Sequence, residues 1–184
     1  PDCSPFGFKL NLEGTKIVWF DGEQPKDIVV GSINHIKELA RCGDSAVDVL
    51  DYLDMYPMNE IMPDGAGFDV NNIQTVAFAR RKEMWTIFRE EIIPKRQHSV
   101  MIVDGLANFC DIMNWQEVEL VMNQFMTVAN RYNMLVFVLS HLTRDGEKLF
   151  GSGGTRLSQL ASSGVKMGIY GQFFRMGSDK LRYG

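Results

Sequence analysis

Val100-Met101-Ile102-Val103 is a run of four apolar residues stopped abruptly by Asp104-Gly105. Downstream, Trp115 to Tyr132 places Val118, Val121, Met122, Phe125, Met126 and Ala129 on one face of an amphipathic helix. Met134 to Leu139 then forms a second wholly apolar run. Strands apolar on both faces and joined by a long amphipathic helix bury both faces of a sheet. That pattern belongs to α/β proteins, with a mostly parallel sheet flanked by helices on both faces.

The flanking sequence extends the alternation. Thr15 to Phe20 is β-rich and stops at Asp21-Gly22. Pro25 opens a helical stretch, Lys26 to Cys42, with Ile28, Val29, Ile33, Ile36, Leu39 and Ala40 at helical spacing before Gly43. Ala46 to Tyr52 reads as a second strand or edge element, and Met55 to Asp69, rich in Pro and Gly, reads as a loop. Asn71 to Lys95 carries a long helical pattern that Pro94 is expected to end. Val165 to Tyr170 is a further strand, and from Gln172 onward a hairpin with a turn at Gly177-Ser178 is expected. No internal repeat or low-complexity segment is visible.

With 184 residues the chain is expected to form one domain, and 45% apolar and 23% charged residues are ordinary globular values. Disordered, collagenous and coiled-coil classes are excluded. A net charge of -4 argues against a protein that coats nucleic acid with its whole surface, while leaving room for a local basic loop. Cys3, Cys42 and Cys110 have no CxxC spacing, which fits a reducing, cytoplasmic setting rather than a disulfide framework or zinc site. No apolar run is long enough to span a bilayer, and no membrane partner is expected.

In parallel sheets ligands bind beyond the carboxyl ends of the strands. Here those ends read Phe20-Asp21-Gly22-Glu23-Gln24, Val103-Asp104-Gly105 and Leu139-Ser140-His141. Glu23, Asp104 and His141 are therefore expected to converge on one rim. A carboxylate at the tip of a buried apolar strand is the Walker B arrangement, suited to holding Mg²⁺ through its water shell beside phosphates. Taken singly, each of these residues is equally at home as a solvated strand-end group. The ordered combination is what carries information.

That combination resembles the RecA-like P-loop ATPases, particularly the hexameric-helicase branch containing DnaB and RepA as carried by plasmids and mobile elements. The resemblance rests on Val18-Trp19-Phe20-Asp21-Gly22-Glu23-Gln24, Met101 to Ala107, Phe137-Val138-Leu139-Ser140-His141 and Gly151 to Arg156, and spans about Thr15 to Tyr170. It implies ATP and Mg²⁺ as cofactors. Glu23 would be the base or water-orienting carboxylate, Asp104 the Mg²⁺ residue and His141 a sensor of the γ-phosphate, with Ser140 beside it. The glycine-rich loop bearing Arg144, Lys148 and Arg156 would track single-stranded DNA. Arg175, Lys180 and Arg182 near the last hairpin are candidates for cations acting in trans in a homo-oligomeric, hexameric ring.

One departure is plain: no G-x-x-x-x-G-K-[ST] occurs anywhere in the chain. The expected reading is a fragment whose P-loop strand and helix lie upstream of Pro1, inactive on its own. A non-catalytic RecA-like or Rossmann-like module acting through a partner is the alternative. A hydrolase gripping metal directly with Glu23, Asp104 and His141 is a third reading, weakened by the lack of a further ligand at suitable spacing.

Overall fold

Ile17-Val18-Trp19-Phe20-Asp21 alternates fully buried Val18 and Phe20 with half-buried Ile17 and Trp19, so strand β1 (Ile17–Asp21) has protein on both faces. The computed structural model describes residues 15–40, 51–58, 79, 82–141, 157, 159, 163–170 and 173–181. After β1 come α1 (Lys26–Ala40), β2 (Leu53–Pro57), α2 (residues 82–96), β3 (Val100–Asp104), α3 (Trp115–Tyr132) and β4 (Leu135–Leu139). A separate antiparallel pair, β5 (Ser163–Tyr170) and β6 (Phe173–Leu181), follows.

β1 to β4 form a four-stranded, wholly parallel sheet in the order β2-β1-β3-β4. The fold is α/β, as the apolar runs predict. From β1 the chain steps outward to β2, then crosses back to β3 and on to β4. With right-handed crossovers, α1 covers one face and α2 and α3 the other. The direction of winding reverses between β1 and β3, the position at which such sheets open a ligand site.

The main core lies on the α2/α3 face. Val18, Phe20, Met101 and Val103 meet Met84, Trp85, Phe88 and Ile93 of α2 and Val118, Val121, Met122, Phe125 and Val128 of α3. Asn114 starts α3 by accepting the backbone N–H groups of Gln116 and Glu117, and left-handed Asn133 ends it. The opposite face is thinner. Val29 of α1 and Leu53 of β2 are buried there, outside the main cluster. On β4 that face is open: Leu135, Phe137 and Leu139 are 57%, 49% and 43% exposed. Helices therefore flank both faces, but the cover stops short of the outer strand.

Several local expectations are corrected. The second strand is Leu53–Pro57, starting just past the stretch read as a strand and running into the one read as a loop, while residues 46–50 and 59–69 lie outside the described residues. Pro57 closes the strand at the sheet edge, where a missing N–H costs least. α2 does not end at Pro94. A π-helical stretch, Phe88–Ile92, lets the chain run on to Arg96, where left-handed Gln97 stops it. Met126, expected on the apolar face of α3, is 45% exposed, whereas Val128 is buried. Gly177 and Ser178 lie within β6 rather than in a turn, and the hairpin joins Tyr170 to Phe173. Cys110 is buried and its Sγ donates to the Leu106 carbonyl at 3.8 Å, while Cys3 and Cys42 lie outside the described residues. Among the described residues no helix is long and apolar enough to cross a membrane.

At the opposite, amino-terminal end of the sheet, His98 is buried and its Nε2 donates to Asp54 Oδ2 at 2.8 Å, while Arg96 donates to Asp54 Oδ1 at 3.0 Å. His98 Nδ1 is buried with no hydrogen-bond partner among the described residues. Burial holds the His98 pKa below its ordinary value of 6.5, opposed by Asp54 and assisted by the positive charges of Arg96 and Lys16. The unfolded chain takes up this proton near the ordinary value, and the folded chain only at lower pH. Between the two the unfolded state holds more protons, so stability falls as pH drops below about 6.5. This one group contributes a slope of up to about 1.4 kcal/mol per pH unit. Denaturant midpoints measured from pH 7.5 downward should fall in the native chain and flatten in His98→Asn.

Candidate functional site

The carboxyl ends of β1, β3 and β4 carry the site. Asp21 stands in register with Asp104, and Asp104 with Leu139, so the tips of all three strands end level. The chain leaving β1 is tied to β3 beyond the strands themselves, because Gly22 N–H donates to the Asp104 carbonyl at 3.0 Å. Asp21, 1% exposed, accepts the backbone N–H groups of Glu23 and Gln24 on Oδ1 at 3.1 and 3.0 Å. That Asx-type turn aims the Glu23 side chain across the rim.

Glu23 reaches His141, just past the end of β4. His141 Nε2 lies 2.8 Å from Glu23 Oε1 and 3.1 Å from Oε2. A carboxylate only accepts, so the Nε2 nitrogen carries the proton. Asp104 lies between, half-buried at the tip of β3. Burial raises its pKa above the usual carboxylate range, the negative charges of Asp21 and Glu23 raise it further, and His141 pulls it back. The rim is thus a place where negative charge is crowded and under-solvated.

Glu23, Asp104 and His141 therefore come together as their positions at strand ends predict. Ser140 lies half-buried between β4 and His141. Arg144, Lys148, Arg156 and Arg182 lie outside the described residues, and Arg175 and Lys180 fall within β6. Two further residues of the rim are not among the expected site residues. Asp21 could have been found, since it is the acid closing the first apolar run. Asn108 could not: its side chain lies on the backbones of Gly22 and Gly105, a proximity that only the fold creates.

The donor chemistry suits a hard divalent cation held by oxygen. A carboxylate made reluctant to ionise by burial and by two neighbouring acids gains from a cation, and its half-exposed place leaves room for contact through water. Among the described residues no group of three or more His, Cys, Asp or Glu side chains is placed to grip a metal directly. Glu23 is engaged with His141 instead. No protein-family model matches the chain. No curated protein matches it closely enough to be called a relative.

Proposed function

We infer that this chain is the core of an ATP-hydrolysing, DNA-processing motor of the DnaB/RepA-like hexameric-helicase type, from a plasmid or mobile element and working in the cytoplasm. The observation that carries the reading is the Glu23–His141 pair beside Asp104, at the point where the sheet reverses its winding. Glu23 orients the attacking water and accepts its proton. Asp104 would hold Mg²⁺ through water, and the cation would supply neutralisation of charge on the phosphates. His141 is the sensor that links the state of the γ-phosphate to the loop that follows it, with Ser140 beside it.

The chain carries no phosphate-cradling G-x-x-x-x-G-K-[ST], and on this reading a further segment of a parent polypeptide supplies it. The free edge of β4 is the place for it. A further parallel strand there would end next to Ser140 and His141, and the helix following it by a right-handed crossover would cover Leu135, Phe137 and Leu139. The remaining parts of the reading follow from the resemblance. Arg144, Lys148 and Arg156 grip single-stranded DNA, and Lys180 and Arg182 complete a neighbour's site in a homo-hexamer. The same open apolar face of β4 also supports the second reading, a non-catalytic module that docks on a partner through that edge.

Asp104→Asn tests the site. In the parent, Mg²⁺-dependent nucleotide binding should weaken by on the order of tenfold or more. In the chain itself the same change should stabilise the fold. Burial above all holds the Asp104 pKa above its ordinary value of 3.8 in the folded state, so stability is lost as pH rises from that ordinary value through the raised one. Asparagine removes that cost, on the order of 0.5 kcal/mol for a half-exposed, screened group. Calorimetric titration and denaturant midpoints read the two effects. Nucleotide binding indifferent to Asp104→Asn, or a parent reading frame without a phosphate loop, would leave the docking module as the reading.

A further inference from the structure

The rim holds two glycines with different reasons to be glycine. Gly105 has φ +91°, a backbone conformation that side chains resist. Gly22 shows no such φ, so its backbone makes no demand for glycine. What excludes a side chain there is Asn108. A Cβ at Gly22 would fall 2.1 Å from Asn108 Nδ2, 2.5 Å from Cγ and 2.9 Å from Cβ. A Cβ at Gly105 would meet the same Nδ2 at 2.7 Å and Glu23 Cγ at 3.0 Å. The Asn108 side chain is therefore wedged between the turns leaving β1 and β3, and it shares the surface of Gly105 with Glu23.

Asn108 is itself fixed. It ends a single 3₁₀ turn (Leu106–Asn108), its backbone N–H donates to the Gly105 carbonyl at 3.0 Å, and its Nδ2 donates to the same oxygen at 3.3 Å. Phe109 and Cys110, which follow, are buried in the main core. The wedge is anchored in the core at one end and pressed against the two turns at the other.

We propose that Asn108 is a positioning residue, whose side chain sets the separation of the Gly22 and Gly105 turns and so holds the Glu23 carboxylate against His141. Shape does the work: the side chain fills a notch that glycine at position 22 leaves open. The Gly105 carbonyl that Asn108 caps already accepts the Asn108 backbone N–H. This deepens the nucleotide-site reading, because a base held at one place is what ordered attack on a phosphate requires. The geometric claim itself needs no nucleotide.

The test measures the Glu23–His141 contact directly in the full chain without nucleotide. With ¹⁵N-histidine and ¹³C-glutamate labels, dipolar recoupling in frozen solution reads the distance from His141 Nε2 to the Glu23 carboxyl carbon. His35 is replaced by Gln to remove its contact with Glu38. The contact should be present in the native sequence and lost in Asn108→Ala. It should be retained in Asn108→Leu, which keeps the branched shape without the amide. Gly22→Ala attacks the wedge from the other side and should lose the contact with Asn108 intact. Denaturant midpoints confirm folding in each case. A contact that survives both Asn108→Ala and Gly22→Ala, even with reduced stability, overturns the proposal, as does its loss in Asn108→Leu. Failure of the parent to bind nucleotide would defeat the functional reading and leave this result standing.

Discussion

Glu23→Gln in the nucleotide-competent parent should leave nucleotide binding near its native value while hydrolysis falls by on the order of 10²-fold or more. The substitution keeps the shape of the side chain. The amide oxygen can still accept from His141 Nε2, so the contact across the rim survives in weaker, uncharged form. What is lost is the capacity to take a proton from water, a function worth roughly 10² to 10⁴ in rate. An interaction needed only as the bond breaks should lower kcat and kcat/KM together and leave binding intact. Removing one of the two negative neighbours of Asp104 also relieves the crowding that raises its pKa. The variant should therefore hold Mg²⁺ no better than the native protein, and its defect should not be rescued by more Mg²⁺. Steady-state turnover with a parallel binding titration decides the matter, and unchanged turnover would take the base role from Glu23.

The sheet was legible where physical chemistry is local. Val100 to Val103 and Ile17 to Phe20 are apolar on both faces, which only a covered parallel strand can tolerate. α3 matches its expected bounds because its apolar stripe runs from a capping Asn114 to Tyr132 without interruption. β2 was not legible. Leu53-Asp54-Met55-Tyr56-Pro57 carries a charge and a proline, and its strand character depends on pairing with β1 and on the bonds of Asp54 to His98 and Arg96. The run of α2 past Pro94 depends on a change of helical pitch that no propensity announces. At the rim, Glu23, Asp104 and His141 follow from the rule about strand ends. Asn108 and the reason for Gly22 follow from a contact between distant segments, which a one-dimensional pattern does not contain.

Phe20→Ala should cost about 3 to 5 kcal/mol of stability, the largest single loss expected outside the site chemistry. Phe20 is 0% exposed and lies in register with Val103 on one side and Tyr56 on the other. Its ring centroid is 3.9 Å from that of Phe88, 5.9 Å from Tyr56 and 6.2 Å from Phe109, so it joins β1 to β2, α2 and the segment after β3. Removing it forfeits both the transfer energy of a buried ring and its aromatic contacts, and the rigid strands on either side limit collapse into the space. Phe137→Ala is the matched comparison. It is also a phenylalanine within the same sheet, one strand beyond β3, but it is 49% exposed on the open face of β4. Its replacement in this chain should cost under about 1 kcal/mol. Equilibrium unfolding in denaturant, with the slope checked for constancy, reads both. The comparison also bears on what covers β4. If a further strand of the parent pairs with β4 and its helix packs on that face, the cost of Phe137→Ala should rise in the parent to about 2 kcal/mol or more, while that of Phe20→Ala stays the same. Equal costs of Phe137→Ala in chain and parent would show that this face remains open there, and would remove the place assigned to the phosphate-binding segment.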